Sequence, residues 1–322
     1  MNSRRDFLCL MAAAAGTATT SVAFAQKLDG PLKIVVGFAA GGASDRAARL
    51  IADALKDRLG VSVIVENKTG AGGRLSAQQV KATAPDQNVL LIGNPAINVV
   101  APLVAANVGY DARKDFVAVS MVTQYDFAVA VGPAVPVREF SHLIAWLKAN
   151  PEQANFGVPA TGSLPHFFAL MIADAAKVKA QVVGYRGSAP LATDLLGGQV
   201  PVAVDTLDSL LPLHEAGRLR ILGIGAAKRV PEAPDIPTLR ESNFNLVADG
   251  WNTLFAPASM PAEKVRLLGS AIEAVMKDPA MQAKFRAAKM NPVASSPAQA
   301  AKMLEDYRAV WEPVIKASGF RE

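Results

Sequence analysis

Four short turns rich in glycine and hydroxyl residues hold the chemistry open to this sequence. The first is Gly37-Phe38-Ala39-Ala40-Gly41-Gly42-Ala43-Ser44-Asp45, and the second is Gly70-Ala71-Gly72-Gly73. The third is Ala160-Thr161-Gly162-Ser163-Leu164-Pro165-His166, and the fourth is Gly184-Tyr185-Arg186-Gly187-Ser188-Ala189-Pro190. Each sits between a strand-like run and a helical pattern. Glycine lets the main chain come close to a ligand, and the first N–H groups of a helix point outward without partners. With the positive end of the helix dipole they form a site for a carboxylate or a phosphate. Thr161 and Ser163 add hydroxyl donors beside a proline-started helix. Asp45 is expected to cap the helix after the first turn. Each turn also has a plain reading as a tight connection, and for the second turn that is the expected one.

A few side chains outside the glycines have two readings each. His166 is the only histidine in a glycine-rich turn; it either touches a ligand or makes a structural hydrogen bond, and a neutral imidazole serves both. His142 and His214 fit surface-helix or cap positions. Asp205 closes the run Val200–Val204 and precedes Thr206. Its carboxylate either accepts from a ligand ammonium or hydroxyl, or caps the following helix. Trp251 either packs a hinge or walls a cleft.

Catalytic patterns are missing. There is no G-x-S-x-G elbow and no H-x-x-x-H or H-E-x-x-H pair, and Gly37 to Gly41 lacks G-x-G-x-x-G spacing. No cofactor and no metal are expected, and a dicarboxylate would be held by helix starts without a dedicated arginine.

The scaffold must present these turns on one side. Residues 32–36, 61–65 and 89–92 read as strands, with helices over 45–59 and 74–82 between them. This β-α-β-α-β rhythm predicts a parallel sheet covered by helices. The rhythm returns with strands at 127–131, 155–158, 181–183, 200–204 and 219–224, and helices at 140–150, 165–176 and 189–196. A strand at 253–256 and helices at 262–277, 279–288 and 297–318 follow. The expected fold class is α/β, two similar halves joined by crossing strands, which is the two-lobed plan of binding proteins. Each lobe would be a mostly parallel sheet flanked by helices, with residues 26–127 and 250–322 in the first lobe and 128–249 in the second. Crossings are placed near Tyr125 to Ala130 and Ala248 to Thr253. Ligands bind outside the carboxyl ends of strands in such sheets, where all four turns lie.

Bulk properties agree. The 322 residues exceed what one core usually serves, and 51% apolar against 19% charged residues supports a large core. Aromatics at 6% disfavour binding by ring stacking. The net charge of +5 is spread out, without the basic patch a nucleic-acid partner needs. Residues 1–25 read as an export signal: Arg4 and Arg5 precede an apolar run ending in Ala23-Phe24-Ala25. Cleavage near Ala25 would place the protein in the periplasm. Ser3-Arg4-Arg5-Asp6-Phe7-Leu8 resembles a twin-arginine signal, the alternative being an ordinary secretory one. The single cysteine, Cys9, lies inside it, so the mature chain would have no thiol.

At the turns the sequence resembles a known family, the Bug receptors, extracytoplasmic solute-binding proteins of tripartite tricarboxylate transport systems. The matching stretches run in order: Ile34 to Asp45, Val65 to Gly73, Tyr110 to Phe116, Tyr185 to Pro190, Leu195 to Val200 and Pro234 to Leu239. The resemblance implies a two-lobed periplasmic binding protein of type II, the Venus-flytrap fold, that closes on a carboxylated ligand, with Phe38, Ala39, Gly41, Gly42 and Asp45 in the first lobe. In the second it implies Thr161, Gly162, Ser163 and His166, with Tyr185, Asp205 and Thr206 nearby. Where the family has a hydroxyl-rich stretch after the third strand, this chain reads Gly93-Asn94-Pro95, so Asn94 stands in for a hydroxyl donor. The implied function is capture of a small carboxylate by a monomer for membrane permease subunits. The alternatives are docking on a sensor kinase, or an exported α/β enzyme using His166 and Asp205.

Overall fold

A computed structural model describes residues 28–288 and 290–322. The export signal over 1–25, with Cys9, lies outside the described residues. The strands are β1 (Leu32–Val36), β2 (Val63–Asn67), β3 (Val89–Gly93), β4 (Phe116–Val131), β5 (Asn155–Val158), β6 (Gln181–Gly184), β7 (Val202–Thr206), β8 (Arg220–Ile224), β9 (Asp249–Pro257) and β10 (Asn291–Pro292). The helices are α1 (Ala43–Leu59), α2 (Arg74–Lys81), α3 (Ala101–Val104), α4 (Phe140–Ala149), α5 (Leu164–Ala176), α6 (Ser188–Leu196), α7 (Leu207–Glu215), α8 (Ala262–Lys277), α9 (Pro279–Ala287) and α10 (Pro297–Ala317).

The strands form two α/β sheets that share one strand. In the first, β1 is parallel to β2 and β3, and β9 runs antiparallel between β3 and β4. In the second, β5 is parallel to β6 and β7, and β4 runs antiparallel to β7 and β8. The 16 residues of β4 serve both: Phe116 to Asp126 pair with β9, and Phe127 to Val131 with β7. The returning chain is tied in at the same level. Phe127 N–H donates to the Ala248 carbonyl, Gly225 N–H to the Phe127 carbonyl, and Ala248 N–H to the Gly225 carbonyl.

Three apolar clusters fill the layers. One runs behind both sheets, joining Leu91, Phe255 and Trp251 to Phe127, Phe156 and Phe168 through Tyr307 and Trp311 of α10. The other two are separate. Ile51, Leu55, Leu268 and Phe285 cover the front of the first sheet, and Leu191, Leu195, Leu210 and Ile221 the front of the second. The lobes are thus fused at the back and parted at the front. Arg308 of α10 is 4% exposed and donates to the carbonyls of Asn98 and Ala112, which anchors that helix.

Local sequence explains these elements. In α1 the small and branched residues Ala47, Ala48, Ile51, Ala52 and Leu55 recur on one face. Gly60 ends it in a left-handed conformation, donating to Lys56 O. A capping box between Ser296 and Gln299 starts α10. The sequence reading did not include α7, which has Pro212 inside it, or the first eleven residues of β4. It also placed β7 two residues early, so Asp205 and Thr206 belong to the strand itself.

Asp126 and Asp249 face each other across β4 and β9 at the crossing. Burial, and then the neighbouring Asp249 and Glu232, push the Asp126 carboxyl up to about 6. The folded state therefore holds this proton more tightly than the unfolded chain. The resulting stabilisation is complete below about pH 4 and is lost as pH rises through about 6. Asp126→Asn should raise stability by on the order of 1–2 kcal/mol at pH 8 and leave it unchanged at pH 4. Urea unfolding of both proteins at the two pH values checks this, and identical differences at both would refute it.

Candidate functional site

The first glycine turn is held from behind by its own helix. Asp45 is the third residue of α1, and its Oδ2 accepts the Gly41 N–H at 2.8 Å and Arg49 Nε at 2.9 Å. Asn67, closing β2, donates to Asp45 Oδ1 at 2.8 Å and to the Phe38 carbonyl at 3.0 Å. Burial raises the Asp45 carboxyl, but hydrogen bonds from Arg49, Gly41 and Asn67 outweigh it and hold the group below its usual range. Asp45 is a strut, satisfying Gly41 and fixing the turn. The amides of Ala43 and Ser44, also in the first turn of α1, have no acceptor within the helix.

Those two residues line a cavity of ≈ 570 Å³ between the lobes. On the first-lobe side its wall is Phe38, Gly42, Ala43, Ser44, Arg46, Asn94, Thr123, Asn252 and Met290. The crossing adds Gln124 and Tyr125, and the second lobe adds Gly187, Ser188, Thr206, Asp208 and Ser209. The helix starts of α1, α6 and α7 therefore all border one space.

The wall is preorganised. Ser44 Oγ donates to Asn252 Oδ1 at 2.6 Å, and Asn252 Nδ2 donates to Thr123 Oγ1 at 2.8 Å. This chain fixes the α1 start against β9 and β4. Asn94 Oδ1 accepts the Ile97 N–H at 3.3 Å and so opens the helical turn after β3. Opposite, Thr206 Oγ1 and Ser209 Oγ lie 2.8 Å apart. Arg46, exposed, reaches back to the Gly41 carbonyl at 3.2 Å. An arginine therefore borders the cavity, where the sequence reading expected none.

Of the residues singled out from sequence, Phe38, Gly42, Asn94 and Thr206 line this cavity. Ala39 and Gly41 are exposed beside it in the same turn. Asp205 lies behind the wall, 1% exposed; its Oδ1 accepts the Thr206 N–H at 2.7 Å, and Oδ2 has no partner among the described residues. Burial pushes its carboxyl up to about 6. Tyr185 packs against the apolar cluster under α6.

Residues of the second and third turns are not among those that line the cavity. A Cβ on Gly73, whose φ is +92°, would sit 2.8 Å from Ile97, so this glycine serves close packing. In the third turn Thr161 is exposed, and Ser163 Oγ donates to the Ala160 carbonyl at 2.7 Å. Gly162 N–H donates to His166 Nδ1 at 2.8 Å. Burial holds the imidazole below its usual pKa, which keeps Nδ1 free to accept. The ring stacks on Phe167 and meets the edge of Phe320, centroids 5.4 Å apart. A Cβ on Gly162 would come within 2.7 Å of that phenylalanine. Trp251, 1% exposed, packs on Tyr307 and Phe255 in the core.

Sequence reading passed over Arg46, Thr123, Asn252, Asp208 and Ser209. Thr123 and Asn252 lie inside strands, where buried polar residues in apolar runs were the available signal. Asp208 and Ser209 belong to the helix that was not anticipated.

Two α/β lobes sharing a strand around a polar cavity define a solute-binding protein of the periplasmic type. The chain belongs to the tripartite tricarboxylate transporter family receptor group, whose family model matches residues 47–320. A UPF0065 protein of Bordetella bronchiseptica is 32% identical over 291 residues, covering 90% of this chain and 86% of its own. BugT of Bordetella pertussis is 29% identical, covering 90% and 89%. Among solved structures, an R. palustris protein with adipate superposes with a TM-score of 0.81 at 32% identity, covering 90% of this chain and 98% of that one. MatC from Rhodopseudomonas palustris with bound malate gives 0.75 at 26%, covering 88% and 98%. Receptors of this family bind solutes in the periplasm and are not enzymes.

Asp45→Asn should cost about 1–3 kcal/mol at neutral pH, because it removes a charged acceptor of three hydrogen bonds. The group's folded pKa is lowered, so its contribution is present above the unfolded value near 3.8 and is lost as pH falls below it. Thermal unfolding from pH 7 down to pH 2 should show the two proteins converging in acid; a constant gap would disprove the strut.

Proposed function

We propose that this receptor captures a small carboxylated solute in the cavity between its lobes and presents it to the membrane subunits of a tripartite transporter. The observation that carries the reading is the shared space. The unpartnered amides at the start of α1, the Arg46 guanidinium and the Ser44–Asn252–Thr123 chain border it from one lobe. The starts of α6 and α7 border it from the other. A carboxylate against the α1 start would accept main-chain hydrogen bonds and sit at the positive end of the helix dipole, with Arg46 supplying a full charge. The adipate and malate held by two structural relatives support the carboxylate class.

The proposed lobes are residues 26–127 with 250–322, and 128–249. The change of β4 partners at Phe127 supports that division. The proposed location is the periplasm, reached through the signal over 1–25. Delivery to permease subunits rests on the family assignment. The third turn, with Thr161, Gly162, Ser163 and His166, would serve to position the second lobe.

Titration calorimetry against a panel of aliphatic and hydroxylated carboxylates should give one saturable site. Arg46→Ala should weaken it about 10-fold or more, a charge-assisted bond being worth roughly 1.5–3 kcal/mol. Arg240→Ala, on an exposed loop, should leave it unchanged. Equal affinities in the parent and Arg46→Ala would remove the first-lobe wall from the reading.

A further inference from the structure

The charges around the cavity are unevenly placed. Arg46, on the first lobe, is the one basic side chain that lines it among the described residues. Asp208, on the second lobe, is its acidic counterpart, half-buried in the first turn of α7 and without a hydrogen-bond partner among the described residues. Three residues before Asp208 in the chain is the buried Asp205, whose Oδ1 accepts the Thr206 N–H. A smaller cavity of ≈ 60 Å³ adjoins the first and shares Gln124, Tyr125 and Asp208 with it. Apolar side chains such as Leu211 and Pro212 line it, together with four carboxylates and, among the described residues, no basic side chain. Asp126 is among those four, and its carboxyl is pushed up to about 6 by burial and by its acidic neighbours. Among the described residues, the crossing and the second-lobe side of the site are therefore rich in negative charge.

A dicarboxylate lying across this cavity would place its far carboxylate among like charges in a partly dry space, which is costly. A far ammonium would pair with them. We infer that the solute is a zwitterion, a carboxylate whose other end is an ammonium on a short aliphatic chain, and that Asp208 is the residue selecting it over a dicarboxylate. This rests on the carboxylate reading above and deepens it. The α1 start and Arg46 take the carboxylate, the apolar walls take the methylenes, and Asp208 takes the ammonium. No covalent step is involved.

Calorimetry at pH 7.5 with two probe pairs of similar length tests the inference: 6-aminohexanoate against adipate, and 4-aminobutanoate against succinate. The amino acid of at least one pair should bind 10-fold tighter or more than its diacid. Asp208→Asn should reduce that preference at least 10-fold, chiefly by weakening the amino acid, while its thermal midpoint confirms folding. A parent protein in which neither amino acid binds 10-fold tighter than its diacid overturns the inference and leaves the receptor reading standing. A folded Asp208→Asn with the preference intact removes Asp208 as the selector. If none of the four probes binds, the carboxylate reading and this inference fall together.

Discussion

One continuous hydrogen-bonded strand makes both halves of this molecule a single mechanical object. β4 gives its first eleven residues to one sheet and its last five to the other, with no loop between. Strand pairing then fixes the direction in which every flanking helix starts. β1, β6 and β7 end toward the same space, and the helices that follow them begin there. The anion-attracting ends of α1, α6 and α7 meet at one cavity beside the strand that both sheets share. The apolar layer behind reinforces the constraint, since Trp251, Phe127 and Trp311 belong to one cluster spanning both sheets. The front layers stay separate, and that separation is what leaves room for a solute.

Within that frame the chemistry divides between groups that hold and groups that face the cavity. Asp45 satisfies Gly41 and ties Arg49 and Asn67 to the turn, so the α1 start is braced before anything arrives. Ser44, Asn252 and Thr123 do the same across three elements with neutral groups. Binding then requires little reordering on this side, which lowers the entropic cost of association. The second-lobe wall is chemically different, built from the hydroxyls of Ser188, Thr206 and Ser209 and the Asp208 carboxylate. A receptor with one wall fixed and basic and the other acidic discriminates by the distribution of charge along its solute as much as by size.

Much of this was legible in the sequence, for physical reasons that differ by element. The Ala47–Ile51–Leu55 stripe and the βαβ rhythm come from local periodicity, so α1 and the parallel strands were readable within a residue or two. The glycine turns were readable because their composition is rare elsewhere in a strand or helix. What could not be read was long-range. Asn252 and Thr123 matter because β9 and β4 lie side by side, a pairing between residues more than a hundred positions apart. α7 was hidden by Pro212, and with it went Asp208 and Ser209. The third turn looked like a ligand loop, yet its histidine ring is enclosed by Phe167 and Phe320, the latter from the far end of the chain. Family resemblance recovered the architecture; it did not show which turns share a cavity.

The contact of Phe320 with His166 and Phe167 joins the segment after α10, a first-lobe helix, directly to α5 of the second lobe. Together with the crossing strands it gives the lobes two points of attachment rather than one. The spacing between the walls that carry Arg46 and Asp208 is therefore set by the C-terminal segment as well as by the shared strand.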